Sequence, residues 1–215
     1  MTTLITTPVS KNDAFTSKPK VCYADPPWSP GQQGGRGAAE HYGLMTTEQI
    51  KGMGEAVQAI MDDNSVLLLW VTSNALQDGL DVMKAWGYRY VTNAVWDKYF
   101  MGLGQAFRGA HELLLYGVRG KTAVKYRSQR SVFQFPREAH SVKPAEMIPL
   151  IERMFEGPYL ELFARRRPNS RSDWRVWGDE IDADYTLAPW GYPVPSDFDD
   201  QPVGDVTYKE NGRES

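Results

Sequence analysis

From Ser65 to Thr72 the chain reads SVLLLWVT, an apolar run of strand length with no polar alternation. Such a run predicts a strand covered on both faces. KVCYA at 20–24, YVTNAVW at 90–96, YLELFAR at 159–165 and WRVWG at 174–178 read as further strands. HELLLYGVRG at 111–120 is another, entered from the glycine-bearing loop MGLGQAFRGA. Helical spacing separates these runs. In TTEQIKGMGEAVQAIMDD, Ile50, Met53, Val57, Ile60 and Met61 recur near one face, and Thr46 with Gln49 forms a capping-box pattern. Gly52 and Gly54 weaken that helix. ALQDGLDVMKAWG at 75–87 predicts a helix closed by Gly87, and PAEMIPLIERMF at 144–155 one with Pro144 at its first position and Pro149 placed to kink it. Strands alternating with helices predict an α/β layer architecture with a largely parallel sheet, which binds ligands outside the carboxyl ends of its strands.

The 215 residues suffice for one domain with a full core. Residues 1–18 are polar and read as a flexible arm, 19–181 as the folded domain, and 182–215 as an acidic, proline-containing tail, extended or disordered. The net charge of −3 hides an uneven distribution. Residues 179–215 carry ten acidic and two basic side chains, which leaves 22 basic against 17 acidic in the rest. Arg119, Lys121, Lys125, Arg127, Arg130 and Arg137 fall in one stretch without an acid, and RRRPNSRSDWR at 165–175 is a second basic cluster. Both are candidate phosphate-binding surfaces. Cys22 is the only cysteine, so no internal disulfide forms, in keeping with a reducing cytoplasm. No signal peptide or membrane span is read, and one cysteine with three histidines offers no metal-ligand cluster.

The sharpest chemical feature is VCYADPPWSP at 21–30. An apolar strand stops on a carboxylate, two prolines and a tryptophan. The prolines hold the chain extended and remove two N–H donors, so neighbouring carbonyls are expected to face outward without strand partners. Asp25 adds an anionic acceptor and Trp28 a flat apolar plate. Two acceptors beside a stacking surface suit a planar heteroaromatic ring bearing an exocyclic amine, such as adenine. A base must leave the duplex to reach such a pocket, and stacking offsets roughly 1–3 kcal/mol of that cost.

DPPW at 25–28 resembles the signature of the MT-A70-like adenine-N6 methyltransferases, S-adenosylmethionine-dependent enzymes of Rossmann-like fold that act on DNA or RNA. The likeness continues in order through EHYGLMTTEQI, HELLLYGVRG, HSVKPAEMIPLIERM, YLELFARR and DWRVWGDE, covering about residues 20–181. It implies a mostly parallel sheet flanked by helices, with the catalytic tetrapeptide N-terminal and the cofactor strand C-terminal, permuted relative to folds that begin with a glycine-rich dinucleotide loop. It implies Asp25, Pro26, Pro27 and Trp28 as the catalytic motif, with Tyr42 and Glu112 at the acceptor pocket. Lys143, Glu161, Arg165, Asp179 and Glu180 fall on its cofactor side. The family often has Asn where this chain has Asp179, and an acidic cofactor-side residue upstream of the motif has no placed equivalent here.

The implied reaction moves a methyl group from S-adenosylmethionine to the N6 amine of adenine. Asp25 and the Pro26 carbonyl would accept the N6 hydrogens, Glu161 would accept from the cofactor's ribose and Lys143 would pair with its carboxylate. Lys125, Arg127 and Arg130 are the candidate phosphate contacts. The expected partner is nucleic acid, DNA ahead of RNA because the chain carries little beyond the core and no recognisable RNA-binding appendage, as in a small bacterial or phage-type modifier. The alternatives are an RNA adenine methyltransferase and a non-catalytic nucleic-acid-binding subunit of the same fold.

Overall fold

The unbroken apolar runs are strands of one sheet with both faces covered. The structure, a computed structural model, describes residues 10–12, 15–29, 43–99, 101–103, 106–136 and 142–198. Seven strands are ordered β5-β3-β4-β2-β1-β6-β7: β1 Val21–Ala24, β2 Ser65–Thr72, β3 Arg89–Asp97, β4 His111–Arg119, β5 Val132–Phe133, β6 Tyr159–Leu162 and β7 Trp174–Trp177. β4 is antiparallel to both of its neighbours, and every other pairing is parallel. This is the mostly parallel, helix-flanked sheet that the pattern predicts, with the two-residue β5 as an unpredicted edge strand.

Alternation along β2 divides the core. Leu67, Leu69 and Val71 pack with residues of α1 Thr47–Gly52, α2 Gly54–Ile60 and α3 Leu76–Ala85, while Val66, Leu68 and Trp70 pack with Met147 and Ile151 of α4 Met147–Met154. Burying both faces requires apolar residues at successive positions.

The single helix expected over 46–61 is two. The capping box at its start is present, with the Gln49 N–H donating to Thr46 Oγ1 at 3.2 Å and the Thr46 N–H donating to Gln49 Oε1 at 2.8 Å. The break falls at Met53, before Gly54, where a Cβ would lie 2.6 Å from the Ala85 carbonyl oxygen, so the glycine permits close approach to the end of α3. α4 starts three residues after Pro144, which makes Pro149 its third residue. The N–H that proline lacks there has no intrahelical acceptor in any case, and the helix continues through it.

The extended tail expected from 182 is corrected for residues 182–198, which are packed against the domain. Ala183, Tyr185, Leu187 and Val194 are buried in the core on the α1–α3 side. The Asp184 carboxylate accepts from the Val176 N–H at 2.8 Å and pairs with Arg167 at 2.9 Å. The described part of the arm is docked too: Phe15 stacks on Tyr185 and Lys11 pairs with Asp197 at 2.8 Å. Mean composition concealed a set of apolar side chains spaced through an acidic background. No helix among the described residues is long and apolar enough to cross a membrane.

Arg175 joins these parts. Its side chain is 1% exposed, pairs with Asp173 at 2.9 Å, donates to the Ser17 carbonyl at 2.5 Å and Tyr185 Oη at 2.8 Å, and lies over the Phe15 ring. Arg175→Met should therefore lower unfolding free energy by about 2–4 kcal/mol in denaturant titration and raise protease cleavage near residues 10–18. An unchanged midpoint would show that apolar packing alone docks both segments.

Candidate active site

β1 ends at Ala24, between Leu69 of β2 and Leu162 of β6, and the next residue is Asp25. The prolines prevent the strand from continuing, and the turn is closed locally. The Trp28 N–H donates to the Pro26 carbonyl and the Met45 N–H to the Pro27 carbonyl, both at 2.9 Å. The Pro26 carbonyl, as expected, has no strand partner in these bonds, but a local turn engages it and Met45 engages the Pro27 carbonyl, so each keeps only its second lone pair for a ligand. The Trp28 indole N–H donates to the Trp70 carbonyl at 3.0 Å, which fixes the half-buried ring against β2.

Asp25 lies in a row of alternating charges. Lys143 Nζ is 2.5 Å from Asp25 Oδ1 and 3.4 Å from Glu112 Oε2, and Glu112 also pairs with Lys98. The four residues come from different parts of the chain. Asp25 follows β1, Lys98 follows β3, Glu112 sits near the start of antiparallel β4, and Lys143 precedes α4. Antiparallel β4 brings its beginning to the edge where the parallel strands end.

Burial pushes the Asp25 carboxyl above its usual range, against the opposing pull of Lys143. For Glu112, burial raises and the two lysines lower, and the lysines prevail, so it lies below the usual range. Lys143 is held above its ordinary value because Asp25 and Glu112 outweigh its burial. At neutral pH the row holds its charges mainly through the central ammonium.

A cavity of about 680 Å³ opens beside Asp25, lined among others by Tyr23, Lys143, Glu161, Phe163 and Arg165. Phe163 turns the chain out of β6 at φ +63°, a conformation uncommon for a side chain with a Cβ, and its ring meets Trp177 edge to face. Burial first, and the nearby Asp25 charge second, push the Glu161 carboxyl up to about 7. The Arg166 charge favours the ionised form of the Glu161 carboxyl but is outweighed. An acceptor held this way is suited to hydroxyl donors of a ligand.

Four residues singled out in the sequence, Asp25, Lys143, Glu161 and Arg165, thus line one cavity, and Glu112 adjoins it through Lys143. Asp179 and Glu180 are off the lining: burial raises the Asp179 carboxyl, and Glu180 lies 3.7 Å from Arg165. Tyr42 lies outside the described residues. Sequence reasoning missed Lys98. The signal available was a lone cation immediately past a strand end.

The basic stretches divide. Arg119 points inward, donating to the Met61 and Asp62 carbonyls at 2.9 and 2.8 Å, and is no phosphate contact. Lys125 pairs with Glu156 at 2.9 Å, while Arg127 and Arg130 are exposed. Of the second cluster, Arg167 and Arg175 are engaged with Asp184 and Asp173. Among the described residues no group of three or more His, Cys, Asp or Glu could hold a metal ion.

A family model described as MT-A70 matches residues 19–180. The chain belongs to the MT-A70 family. Among curated relatives, it is 30% identical over 187 residues to the type II methyltransferase M.MunI of Mycoplasma, covering 76% of this chain and 78% of that protein. It is 31% identical over 172 residues to the N(6)-adenosine-methyltransferase MT-A70-like protein of Drosophila melanogaster, covering 75% of this chain and 27% of that protein. It is 28% identical over 179 residues to the human N(6)-adenosine-methyltransferase catalytic subunit METTL3, covering 79% and 29%. The chain spans about a quarter of the length of these eukaryotic relatives. In this MT-A70 member the strand order, the DPPW turn and the cavity all lie within the matched span.

The Glu161 carboxyl carries a pH signature. Its folded pKa lies above its unfolded one, so folding favours the protonated form, and stability is lost as pH rises from about 4.5 through about 7. Glu161→Gln should therefore be more stable than the unsubstituted protein at pH 8, by up to about 3 kcal/mol, with the gap closing below pH 4.5. Thermal melts of both proteins from pH 4 to 8 check this. A gap independent of pH would mean that Glu161 ionises normally.

Proposed function

We propose that this chain transfers a methyl group from S-adenosylmethionine to the N6 amine of adenine in DNA. The observation that carries the reading is the Lys143-bound Asp25 carboxylate at the mouth of the cavity that also holds Glu161 and Arg165. MT-A70 methyltransferases use S-adenosylmethionine in general, and the donor set fits it: a carboxylate lining the cavity for ribose hydroxyls, cations for a carboxylate, and a cavity in the usual range for a cofactor site. When bound, the cofactor supplies an electrophilic methyl group on a cationic sulfur. Glu161 accepts from the ribose, and Arg165, with the hydrogens of Lys143 that Asp25 and Glu112 leave over, faces the amino-acid end. Asp179 and Glu180 act from behind, Glu180 by holding Arg165.

On the acceptor side, Asp25 and the second lone pair of the Pro26 carbonyl receive the N6 hydrogens. This localises the nitrogen lone pair towards the methyl group, and fixed acceptors stabilise the positive charge that grows on nitrogen. One proton must leave after the bond forms, and Asp25 Oδ2, the oxygen not bonded to Lys143, is the base in reach. Trp28 flanks the ring, and Glu112 keeps Lys143 centred. Arg127 and Arg130 contact phosphates, with Lys125 in support. DNA is favoured by the likeness to a type II methyltransferase, and RNA is the other substrate to assay.

Asp25→Ala should lower the single-turnover rate on DNA by about a hundred- to a thousandfold and leave S-adenosylmethionine affinity by calorimetry unchanged. Lys143→Met should move the acid limb of the pH–rate profile to higher pH, because burial of Asp25 then loses its main opposing charge and only Arg165 remains against it. A profile at its original position would remove Lys143 from this role. Substituting Arg127 and Arg130 by Gln should reduce the slope of log affinity against log salt by roughly 0.9 per residue. An unaltered slope would exclude both as phosphate contacts.

A further inference from the structure

The four most exposed of the large apolar side chains described lie on one extension. Tyr99, Met101, Leu103 and Phe107 sit between β3 and β4, with Met101 77% exposed and Leu103 and Phe107 each 90% exposed. The two arms remain joined by backbone hydrogen bonds: the Lys98 N–H donates to Ala110, the Gly102 N–H to Gly109 and the Gly109 N–H to Leu103. The root is held firmly. Tyr99 has φ +61°, its N–H donates to Asp97 Oδ1 at 3.0 Å, and Gln134 donates to the other Asp97 oxygen at 2.9 Å. Apolar side chains are thereby displayed outward on a braced support.

Two further facts indicate what meets this tip. It stands at the catalytic edge, because Lys98 at its root pairs with Glu112, which is joined through Lys143 to Asp25. Residues 98–110, KYFMGLGQAFRGA, contain two cations and no acid; Lys98 is committed to Glu112 at the root, and Arg108, exposed beside Phe107, supplies the positive charge near the tip. Exposed apolar groups flanked by positive charge suit a polyanion with an apolar interior, which a stacked duplex is. Apolar side chains that enter base steps unstack them.

We propose that Leu103 and Phe107 form a wedge that enters the base stack of double-stranded DNA next to the target adenine and occupies space vacated when the base swings towards Asp25. The wedge rests on the preceding functional reading. It adds a duplex-specific role for a surface that touches neither the transferred methyl group nor the cavity lining.

The test uses the double variant Leu103→Ser, Phe107→Ser in the full chain, with a plasmid as duplex and the same DNA heat-denatured to single strands. Extruding a base costs a few kcal/mol in a duplex and least in a single strand. The variant should lose about ten- to a hundredfold in kcat/KM on duplex and less than about threefold on single strands, with unchanged melting temperature. No loss, or equal loss on both substrates, overturns the wedge. Equal loss accompanied by a shift from dimer to monomer in sedimentation also overturns it and identifies the tip as a protein interface. An unsubstituted protein that methylates only single strands or RNA removes the wedge while leaving methyl transfer standing. One that methylates no nucleic acid and binds no S-adenosylmethionine removes the functional reading itself, and the wedge with it.

Discussion

A half-buried carboxylate at the end of a central strand is expensive to keep ionised, and the contact between Lys143 and Asp25 makes it possible. Burial alone would drive Asp25 towards its neutral form. The ammonium at 2.5 Å opposes that, and Glu112 and Lys98 extend the compensation so that charges alternate in sign along the row. Removing one partner of such a buried arrangement leaves the other uncompensated, a loss of about 3–5 kcal/mol where burial is complete. Most of the fold's choices at this edge serve the contact. The prolines stop β1 at Asp25, the reversed β4 brings Glu112 to the same side, and the segment before α4 carries Lys143 across.

The same arrangement divides the site electrostatically. Asp25 is bonded to the Lys143 ammonium, whereas Glu161, opposite Tyr23 in the β6 register and so two strand positions before Asp25, feels the Arg166 charge more weakly than its own burial, and its carboxyl is pushed up to about 7. Burial raises both carboxyls of the cavity, and the one with a directly bonded cation is Asp25. In the proposed reaction the first serves the acceptor amine and the second the cofactor hydroxyls. Their environments separate the roles.

Much of this was legible in the sequence because period and punctuation act locally. SVLLLWVT reads as a two-sided strand and is one, Thr46 with Gln49 three residues on caps the start of α1, and DPPW marks the end of β1. What failed depended on distant contacts. Thr46 to Met61 is two helices that meet at Met53, and next to the break Gly54, lacking a Cβ, approaches the far end of α3. The acidic tail packs because Tyr185, Leu187 and Val194 find a core that composition cannot reveal. Arg119, Arg167 and Arg175 looked like free basic surface and are tied to carbonyls or carboxylates brought in from elsewhere. Lys143 was read as a cofactor contact from resemblance; its geometry adds a prior commitment to Asp25 and Glu112 that spacing alone does not disclose.

The fate of the methyl group tests the proposed transfer directly. Incubating the protein with S-adenosylmethionine isotopically labelled in the methyl, together with unmethylated DNA, and resolving the digested nucleosides by mass spectrometry locates the transferred carbon. Label is expected in N6-methyl-2′-deoxyadenosine and in no other nucleoside. Label on cytosine, or none in any nucleoside while the cofactor binds, would contradict that transfer.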